Sequence, residues 1–160
     1  MSAPSKLIVS DTLWRQTLEL LQQYTLKKLE AGCFWYGLRT EDTACALTLG
    51  IPRQINRPKS FEIAADDLAA LITAACNPAA LVAVAQLHIH PGSHVHHSPW
   101  DDQQIVSRNV YSLVLPDYCK SPVRFDSIGV HRFENNRWTL MSPDAARQAV
   151  TITTSIVDTR

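Results

Sequence analysis

Leucines at helical spacing mark the first element of the chain. Side chains that share one face of an α-helix recur with a period of about 3.6 residues, and this pattern is carried by Leu13, Leu18, Leu21 and Leu26. Ser10 or Asp11 can cap the N-terminus, and the Lys27-Lys28 pair suits the negative end of the helix dipole. The pattern therefore predicts a helix from about residue 11 to residue 29, ended by Gly32.

Further along, short apolar runs bounded by turn residues predict strands. An antiparallel pair is predicted over residues 33–38 and 43–49, around a polar turn. Residues 81–90 form a mostly apolar run, which predicts a buried central strand. Later strands are predicted at residues 110–115, 127–133 and 138–141, the last two joined by the turn Glu134-Asn135-Asn136.

The segments between and after these strands are predicted to be a loop and two helices. Residues 51–60 contain two prolines and predict a loop, whereas residues 65–75 predict a helix that ends at Asn77-Pro78. From residue 143 a short helix and then a β-prone run are expected, and the terminal segments 1–9 and 143–160 have no assigned packing. The 160 residues suffice for one core, so residues 1–160 are predicted to form a single α/β domain.

Charge and cysteine usage narrow the function classes. The 15 basic residues balance the 15 acidic ones, so the composition does not indicate a polybasic surface. Neither a nucleic-acid nor a membrane partner is therefore predicted. The run Leu7-Ile8-Val9 is too short for a secretory core, and no apolar run approaches a membrane span. The chain has four cysteines and no Cys-x-x-Cys pair, which predicts reduced thiols in a cytoplasmic protein. They are Cys33, Cys45, Cys76 and Cys119.

The segment His88-Ile89-His90, followed by Ser98 and Asp101, carries the candidate chemistry. In a strand, residues i and i+2 point to the same face, so the two imidazoles lie together at the end of the predicted strand. Pro91 and Gly92 then turn the chain, and Asp101 can return as a third ligand. Two nitrogens, one oxygen and an open position describe a catalytic zinc site with one Zn²⁺ per chain.

Other interpretations of these residues stay open. Asp102 competes with Asp101 as third ligand, although its place beside Asp101 at the start of a predicted helix over residues 101–106 suits a charge that complements the dipole. Ser98 can equally be a turn and helix-capping residue. His94, His96 and His97 are interpreted as loop residues near the mouth of a cleft, or as an adventitious metal patch, and His131 is predicted to lie in a strand.

A zinc hydrolase also needs a base, and the chain has only five glutamates. Glu30 stands out because it opens the run Glu30-Ala31-Gly32-Cys33-Phe34-Trp35-Tyr36-Gly37. By itself it is most simply a solvent-facing charge near the end of the first helix. Glu41 and Glu62 are the alternative bases.

The two blocks, residues 30–37 and 81–102, together resemble the JAMM zinc metalloproteases, the catalytic form of the JAB/MPN domain. The resemblance implies a central mixed, mostly antiparallel twisted sheet flanked by helices, a cytidine-deaminase-like α-β-α sandwich. It implies that His88, His90 and Asp101 hold zinc, that Glu30 is the general base, and that Ser98 steadies the oxyanion. One departure is Ile89, where the family most often has a small hydroxyl residue; its side chain faces away from the metal, so coordination is expected to be intact.

The resemblance also implies a substrate. Members of the family cleave isopeptide or peptide bonds after the C-terminal tail of a ubiquitin-like protein, and the small prokaryotic branch often works beside E1-like and E2-like enzymes. Only residues 103–109 separate Asp101-Asp102 from the next predicted strand, so the modifier-gripping insertion of large members is expected to be absent or minimal, and the domain resembles the small prokaryotic branch. Two alternatives remain, a non-catalytic MPN-type scaffold and a zinc hydrolase of a small amide or free peptide.

Overall fold

A computed structural model describes residues 3–104 and 107–159 of the chain. The helices in this part are α1 (Asp11–Gln22), α2 (Ala65–Cys76), α3 (Pro99–Gln104) and α4 (Pro143–Ala149). The strands are β1 (Lys6–Ser10), β2 (Gly32–Arg39), β3 (Thr43–Gly50), β4 (Ile55–Arg57), β5 (Ser60–Glu62), β6 (Val82–Ile89), β7 (Tyr111–Leu115), β8 (Gly129–Glu134), β9 (Arg137–Leu140) and β10 (Val150–Thr153). Short 3-10 turns lie at Asp117–Cys119 and Phe125–Ser127.

Eight of these strands form one sheet in the order β10-β1-β3-β2-β6-β7-β8-β9. Four neighbouring pairs are antiparallel and three are parallel. Strands β6 and β7 run parallel, and α3 lies in the connection between them. The described chain therefore has a mixed α/β fold, as predicted, and β6 occupies the buried central position that its apolar sequence indicates.

Each face of the sheet is covered by a different helix. On one face, Trp14 and Leu21 of α1 pack in the same core as Trp35 of β2, and the indole Nε1 of Trp35 donates to Thr17 Oγ1 at 2.9 Å. On the other face, Phe34 and Tyr36 of β2 pack against α2. This alternation follows from the period of two in a strand. The polar side chains of β6 therefore lie on the second face, past the part of the sheet that α2 covers.

Most predicted elements are confirmed. Strands β2, β3, β6, β7, β8 and β9 and helix α2 lie where the hydrophobic pattern predicts them, within about two residues. Ser10 is the N-cap of α1, accepting from the backbone N–H of Leu13 at 3.1 Å. Asn135 and Asn136 both have positive φ, as a two-residue hairpin turn requires, and Asn tolerates this conformation. The part of the predicted helix at residues 105–106 lies outside the described residues.

The predicted C-terminal end of α1 is wrong. The helix ends at Gln22, and Gly32 begins β2 instead of ending the helix. Beyond Gln22 the chain turns, with Lys28 in the left-handed conformation, and the hydroxyl of Thr25 donates to the carbonyl of Tyr118 at 2.6 Å. That long-range bond draws the chain away from the helix axis. Leu26, predicted to face the core, is consequently 95% exposed.

Two further segments differ from the prediction. Residues 51–60 are not only a loop, because β4 and β5 pair there as a short hairpin, Asn56 facing Phe61. The Leu7-Ile8-Val9 run, considered only as a candidate signal sequence, lies in β1 inside the sheet, between β10 and β3. The pairing of β1 depends on partners distant in sequence, which the local pattern does not reveal. The hairpin of β4 and β5 is local, but its strands have only three residues each, too few for a clear alternating pattern. Among the described helices, none is both long and apolar enough to cross a lipid bilayer.

Candidate metal centre

The candidate ligands meet at the carboxyl end of β6. His88 faces Gly32 of β2 and Val114 of β7 in the strand ladders. Two backbone hydrogen bonds hold His90 in the same way just after the end of β6. Its N–H donates to Leu115 O at 2.8 Å, and its carbonyl accepts from Tyr118 N at 2.7 Å. Both imidazoles therefore project from the same face of a rigid backbone, while Ile89 is buried on the opposite face with the α1 core.

Asp101 completes a set of three atoms. His88 Nε2 lies 3.1 Å from His90 Nε2, and the Asp101 carboxylate oxygens lie 3.6 Å from His88 Nε2 and 3.2 Å from His90 Nε2. Ligand bonds of about 2.0–2.1 Å in a tetrahedral zinc site give ligand-to-ligand distances of about 3.3 Å. All three side chains are buried. We call His88, His90 and Asp101 the metal cluster; in residues 3–104 and 107–159 no other His, Cys, Asp and Glu group of this kind occurs.

Hydrogen bonding determines which nitrogen of His90 carries the hydrogen and which one faces the cluster. His90 Nδ1 lies 3.0 Å from the backbone carbonyl of His94, which can only accept, so Nδ1 carries the hydrogen. In the neutral imidazole, Nε2 then presents a lone pair to another acceptor, the carboxylate of Asp101. Acceptors that converge in a buried site repel one another unless a proton or a metal ion lies between them. An imidazole that donates through Nδ1 to a carbonyl is also the usual arrangement of a metal-ligating histidine.

The titration behaviour agrees with that interpretation. Burial lowers the pKa of His88 below its ordinary value. Burial also opposes protonation of His90, but the hydrogen bond and the charge of Asp101 outweigh it and raise its pKa. For Asp101, burial is outweighed by hydrogen bonds from His88 and His90, so its pKa lies well below the usual range. Without a metal ion, the His90 and Asp101 pair therefore tends to hold a proton, and a metal must displace it.

Asp101 is held in place by the start of α3. Its backbone N–H donates to Ser98 Oγ at 3.2 Å, and its carboxylate accepts from the backbone N–H of Ser98 at 2.6 Å. This reciprocal pair is a capping box, with Ser98 at the N-cap and Pro99 at the first helical position. The capping role considered for Ser98 is thus observed. Because Ser98 Oγ accepts in this bond, its own hydrogen stays available for donation, so the oxyanion role remains a prediction.

Glu30 lies two residues before β2, beside the metal cluster. The antiparallel ladder pairs Gly32 with His88, and Ile89 N donates to Ala31 O at 3.1 Å, which brings Glu30 opposite His90. The Glu30 side chain is buried. Burial raises its pKa to about 7, the nearby His90 charge lowers it in part, and Asp101 raises it further. A carboxylate with a pKa near neutrality suits a general base.

The hairpin of β4 and β5 fixes the Glu30 segment. The Gln54 side-chain amide bonds both the N–H and the C=O of Gly32 at 2.8 Å, in the manner of a neighbouring strand. Glu30 N donates to Arg57 O at 2.8 Å, and Asn56 Nδ2 donates to Glu30 O at 2.9 Å. A Cβ on Gly32 would lie 2.6 Å from the ring of Phe61. Gly32 therefore allows the hairpin to approach, a role that the sequence did not reveal.

The alternative candidates lie elsewhere. Glu41 is exposed in the turn at the opposite end of β2. Glu62 is exposed and its carboxylate lies 3.4 Å from Arg57. His94 and His96 are exposed, as expected for loop residues. His97 is not at a cleft mouth as predicted, because its side chain is only 5% exposed. The reason is a set of buried partners, described next.

Sequence analysis missed a second polar cluster on the same face of the sheet. Across β6, β7 and β8 the ladders place Gln86, Ser112 and His131 side by side, and all three are buried. His97 covers this row: it bonds Ser112 and stacks on His131. The signal available in sequence was a polar residue inside each of three apolar runs. Their proximity depends on strand register, which the sequence alone did not supply.

No family model matches the chain. Among solved structures, it is similar to the solution structure of protein DSY2949 from Desulfitobacterium hafniense, with a TM-score of 0.71. The alignment covers 94% of each chain at 10% sequence identity. At this identity the likeness shows a shared α/β fold and says nothing about activity.

Proposed function

We propose that this chain is a zinc-dependent isopeptidase or peptidase that cleaves after the C-terminal tail of a ubiquitin-like protein. The observation that carries the proposal is the convergence of three buried ligand atoms, with Glu30 opposite His90. Two imidazole nitrogens and a carboxylate oxygen are ligands that zinc accepts, and their separations suit a tetrahedral zinc site. Zinc, when bound, supplies a Lewis acid and lowers the pKa of water to about 7.

The chain's own residues then have distinct roles. Glu30 accepts the proton of the attacking water and delivers it to the leaving amine. A cation at the metal cluster lowers the pKa of Glu30 from about 7, so the carboxylate is ionised at neutral pH. The free hydrogen of Ser98 Oγ donates to the developing oxyanion. Each role uses a group that the backbone already holds in place, Glu30 by the hairpin of β4 and β5 and Ser98 by the capping box.

The substrate part of the proposal rests on the resemblance in residues 30–37 and 81–102. It implies ubiquitin-like proteins and their conjugates as partners, together with E1-like and E2-like enzymes. The absence of a disulfide among the four cysteines is compatible with the proposed cytoplasmic location. A non-catalytic scaffold would not need to keep Glu30 buried beside the ligands, because burying an unpaired carboxyl is unfavourable.

The test combines metal content with cleavage. Purified protein is analysed by elemental mass spectrometry and incubated with a fusion in which a ubiquitin-like domain ending in Gly-Gly is joined to a reporter. We expect about one zinc per chain and cleavage after the last glycine. Glu30→Gln should retain zinc and lose about 10²- to 10⁴-fold in rate. The matched control is Glu62→Gln, since Glu62 is exposed and pairs only with Arg57 among its charged neighbours described here.

The outcomes separate the alternatives. Full activity in Glu30→Gln would show that another group is the base. Zinc without cleavage of the fusion, but with Glu30-dependent hydrolysis of short peptides or amides, would replace the substrate and keep the chemistry. Zinc without any hydrolysis would favour the scaffold, and the absence of stoichiometric metal would refute the zinc site.

A further inference from the structure

His97 forms two hydrogen bonds that join separate elements. Its Nε2 lies 2.9 Å from Ser112 Oγ of β7, and its Nδ1 lies 2.9 Å from Asp102 Oδ1 of α3. A carboxylate only accepts, so His97 Nδ1–H donates to Asp102, and Nε2 pairs with the Ser112 hydroxyl.

The imidazole ring of His97 also packs near the rings of two other histidines. It stacks on His131 of β8 with ring centroids 3.9 Å apart and an interplanar angle of 18°. The ring of the ligand His88 also lies nearby, with a centroid distance of 5.8 Å. Gly129 allows the loop that carries His97 to approach β8, because a Cβ at this position would collide with the carbonyl oxygen of Val95. His97, Ser112, Asp102 and His131 are named the His97 cluster below.

The order Ser112, His97, Asp102 matches the atoms of a serine hydrolase triad, but it does not make Ser112 a nucleophile. Such a serine must reach a carbonyl carbon and lie near oxyanion donors. Ser112 is 0% exposed in a central strand, between Gln86 and His131 in the ladders. No acyl group can reach its hydroxyl without opening the sheet. The bonds therefore serve to hold Asp102 and β7 together.

Asp102 follows Asp101 on α3, a helix of only six residues. A helix this short has little stability of its own and depends on tertiary contacts for its position. Asp102 N also donates to Ser98 O at 3.2 Å, so the capping box and the His97 bond act on the same helical turn. A displacement of α3 would move the Asp101 carboxylate away from the two histidines.

We propose that His97 is a positioning residue of the metal cluster, which ties α3 to β7 through Asp102 and Ser112 and so holds Asp101 at ligand distance from His88 and His90. This inference rests on the proposed function, since it assumes that the metal cluster binds zinc. Partners that orient metal ligands typically contribute about 10- to 100-fold to metal affinity. His97 acts on Asp101 through the helix rather than through direct contact with the ion.

The experiment uses His97→Leu, which removes both hydrogen bonds and keeps a side chain of apolar bulk, and His97→Asn, whose amide can still donate toward Asp102. Zinc affinity is measured by competition with a chelating dye, and amide hydrogen exchange of α3 is measured in the metal-free protein. We expect His97→Leu to weaken zinc binding about 10- to 100-fold and to accelerate exchange at the Asp101 and Asp102 amides. His97→Asn should recover part of both.

A second pair of variants identifies the route. Asp102→Ala removes the acceptor, whereas Asp102→Asn keeps a carbonyl oxygen for the His97 N–H. Asp102→Ala should weaken zinc more than Asp102→Asn, and adding His97→Leu to Asp102→Ala should change little, because both remove one interaction. Should His97→Leu fail to fold by circular dichroism, this pair with His97→Asn decides the question.

Wild-type zinc affinity and wild-type α3 exchange in His97→Leu would overturn the inference, provided that the wild-type protein binds one zinc. Equal zinc affinity in Asp102→Ala and Asp102→Asn would overturn the route through Asp102. Failure of the wild-type protein to bind zinc would refute the proposed function instead. Exchange of α3 in the metal-free variants would then still show whether His97 holds the helix.

Discussion

The metal cluster and the His97 cluster lie side by side on one face of the sheet and use the same residue types, histidine with aspartate. They differ in how their polar atoms are satisfied. In the metal cluster, three ligand atoms converge on one point. In the His97 cluster, each nitrogen of His97 has its own partner at 2.9 Å, while both ring nitrogens of His131 lack a hydrogen-bond partner in the described structure. Ligand atoms that converge on one point suit an ion, whereas a ring whose two nitrogens each meet a separate partner suits a structural link.

The largest expected effect follows from removing a ligand. Asp101→Ala or His88→Ala should abolish stoichiometric zinc and with it all cleavage, because two protein ligands cannot hold the ion as three do. His131→Phe is the matched change in the His97 cluster. It keeps a stacked ring beside His97 and should retain zinc. Elemental analysis after dialysis measures both. Loss of zinc in His131→Phe alone would reverse the roles of the two clusters.

The difference between the clusters also explains what the sequence could and could not predict. The three ligands of the metal cluster are close together in the sequence, so the spacing of His88, His90 and Asp101 was enough to predict that they meet. The His97 cluster joins a loop, a helix and two strands, and it depends on the register that sets Ser112 opposite His131. Local patterns carry no information on such register. The prediction that Leu26 faces the core was wrong for a related reason. A hydrogen bond joins Thr25 to Tyr118, which is distant in sequence, and the helical periodicity does not continue there.

Chelation should expose the dependence of the metal cluster on its ion. A ligand that binds only the folded state stabilises it by RT ln(1 + [L]/Kd), about 4 kcal/mol at a thousandfold excess over Kd. For a domain of this size, that lowers the Tm by about 8–16 °C when the metal is removed. Differential scanning fluorimetry with and without chelator tests the prediction, with Asp101→Ala as the control that should not respond. An equal response of Asp101→Ala would place the stabilising metal elsewhere.

Ser98 connects the two clusters, because its capping box fixes the turn that carries both Asp101 and Asp102. Ser98→Ala removes the cap and the proposed oxyanion donor. The expected loss is about 10²- to 10³-fold in kcat for the donor and about 1 kcal/mol of folding stability for the cap. Ser98→Asp restores a cap without a hydroxyl hydrogen. If Ser98→Asp recovers stability but not kcat, the two roles are separate; recovery of both would reduce Ser98 to a cap.

The smallest effect concerns the stability of the metal-free protein. Burial raises the pKa of Glu30 in the folded state to about 7, above its ordinary value of 4.5. A carboxyl group whose pKa is raised in the folded state destabilises that state only when it is ionised. The free energy of unfolding therefore has its full value below about pH 4.5 and decreases as the pH rises through about 7. Glu30→Gln removes this penalty. Without metal, the variant should therefore be more stable than the wild type at pH 8, by about 1–3 kcal/mol, and the difference should vanish near pH 4.5. Thermal unfolding of both proteins across this range is the measurement. A difference that is independent of pH would mean that the Glu30 carboxyl is solvated and that burial beside the metal cluster does not prepare it to accept a proton.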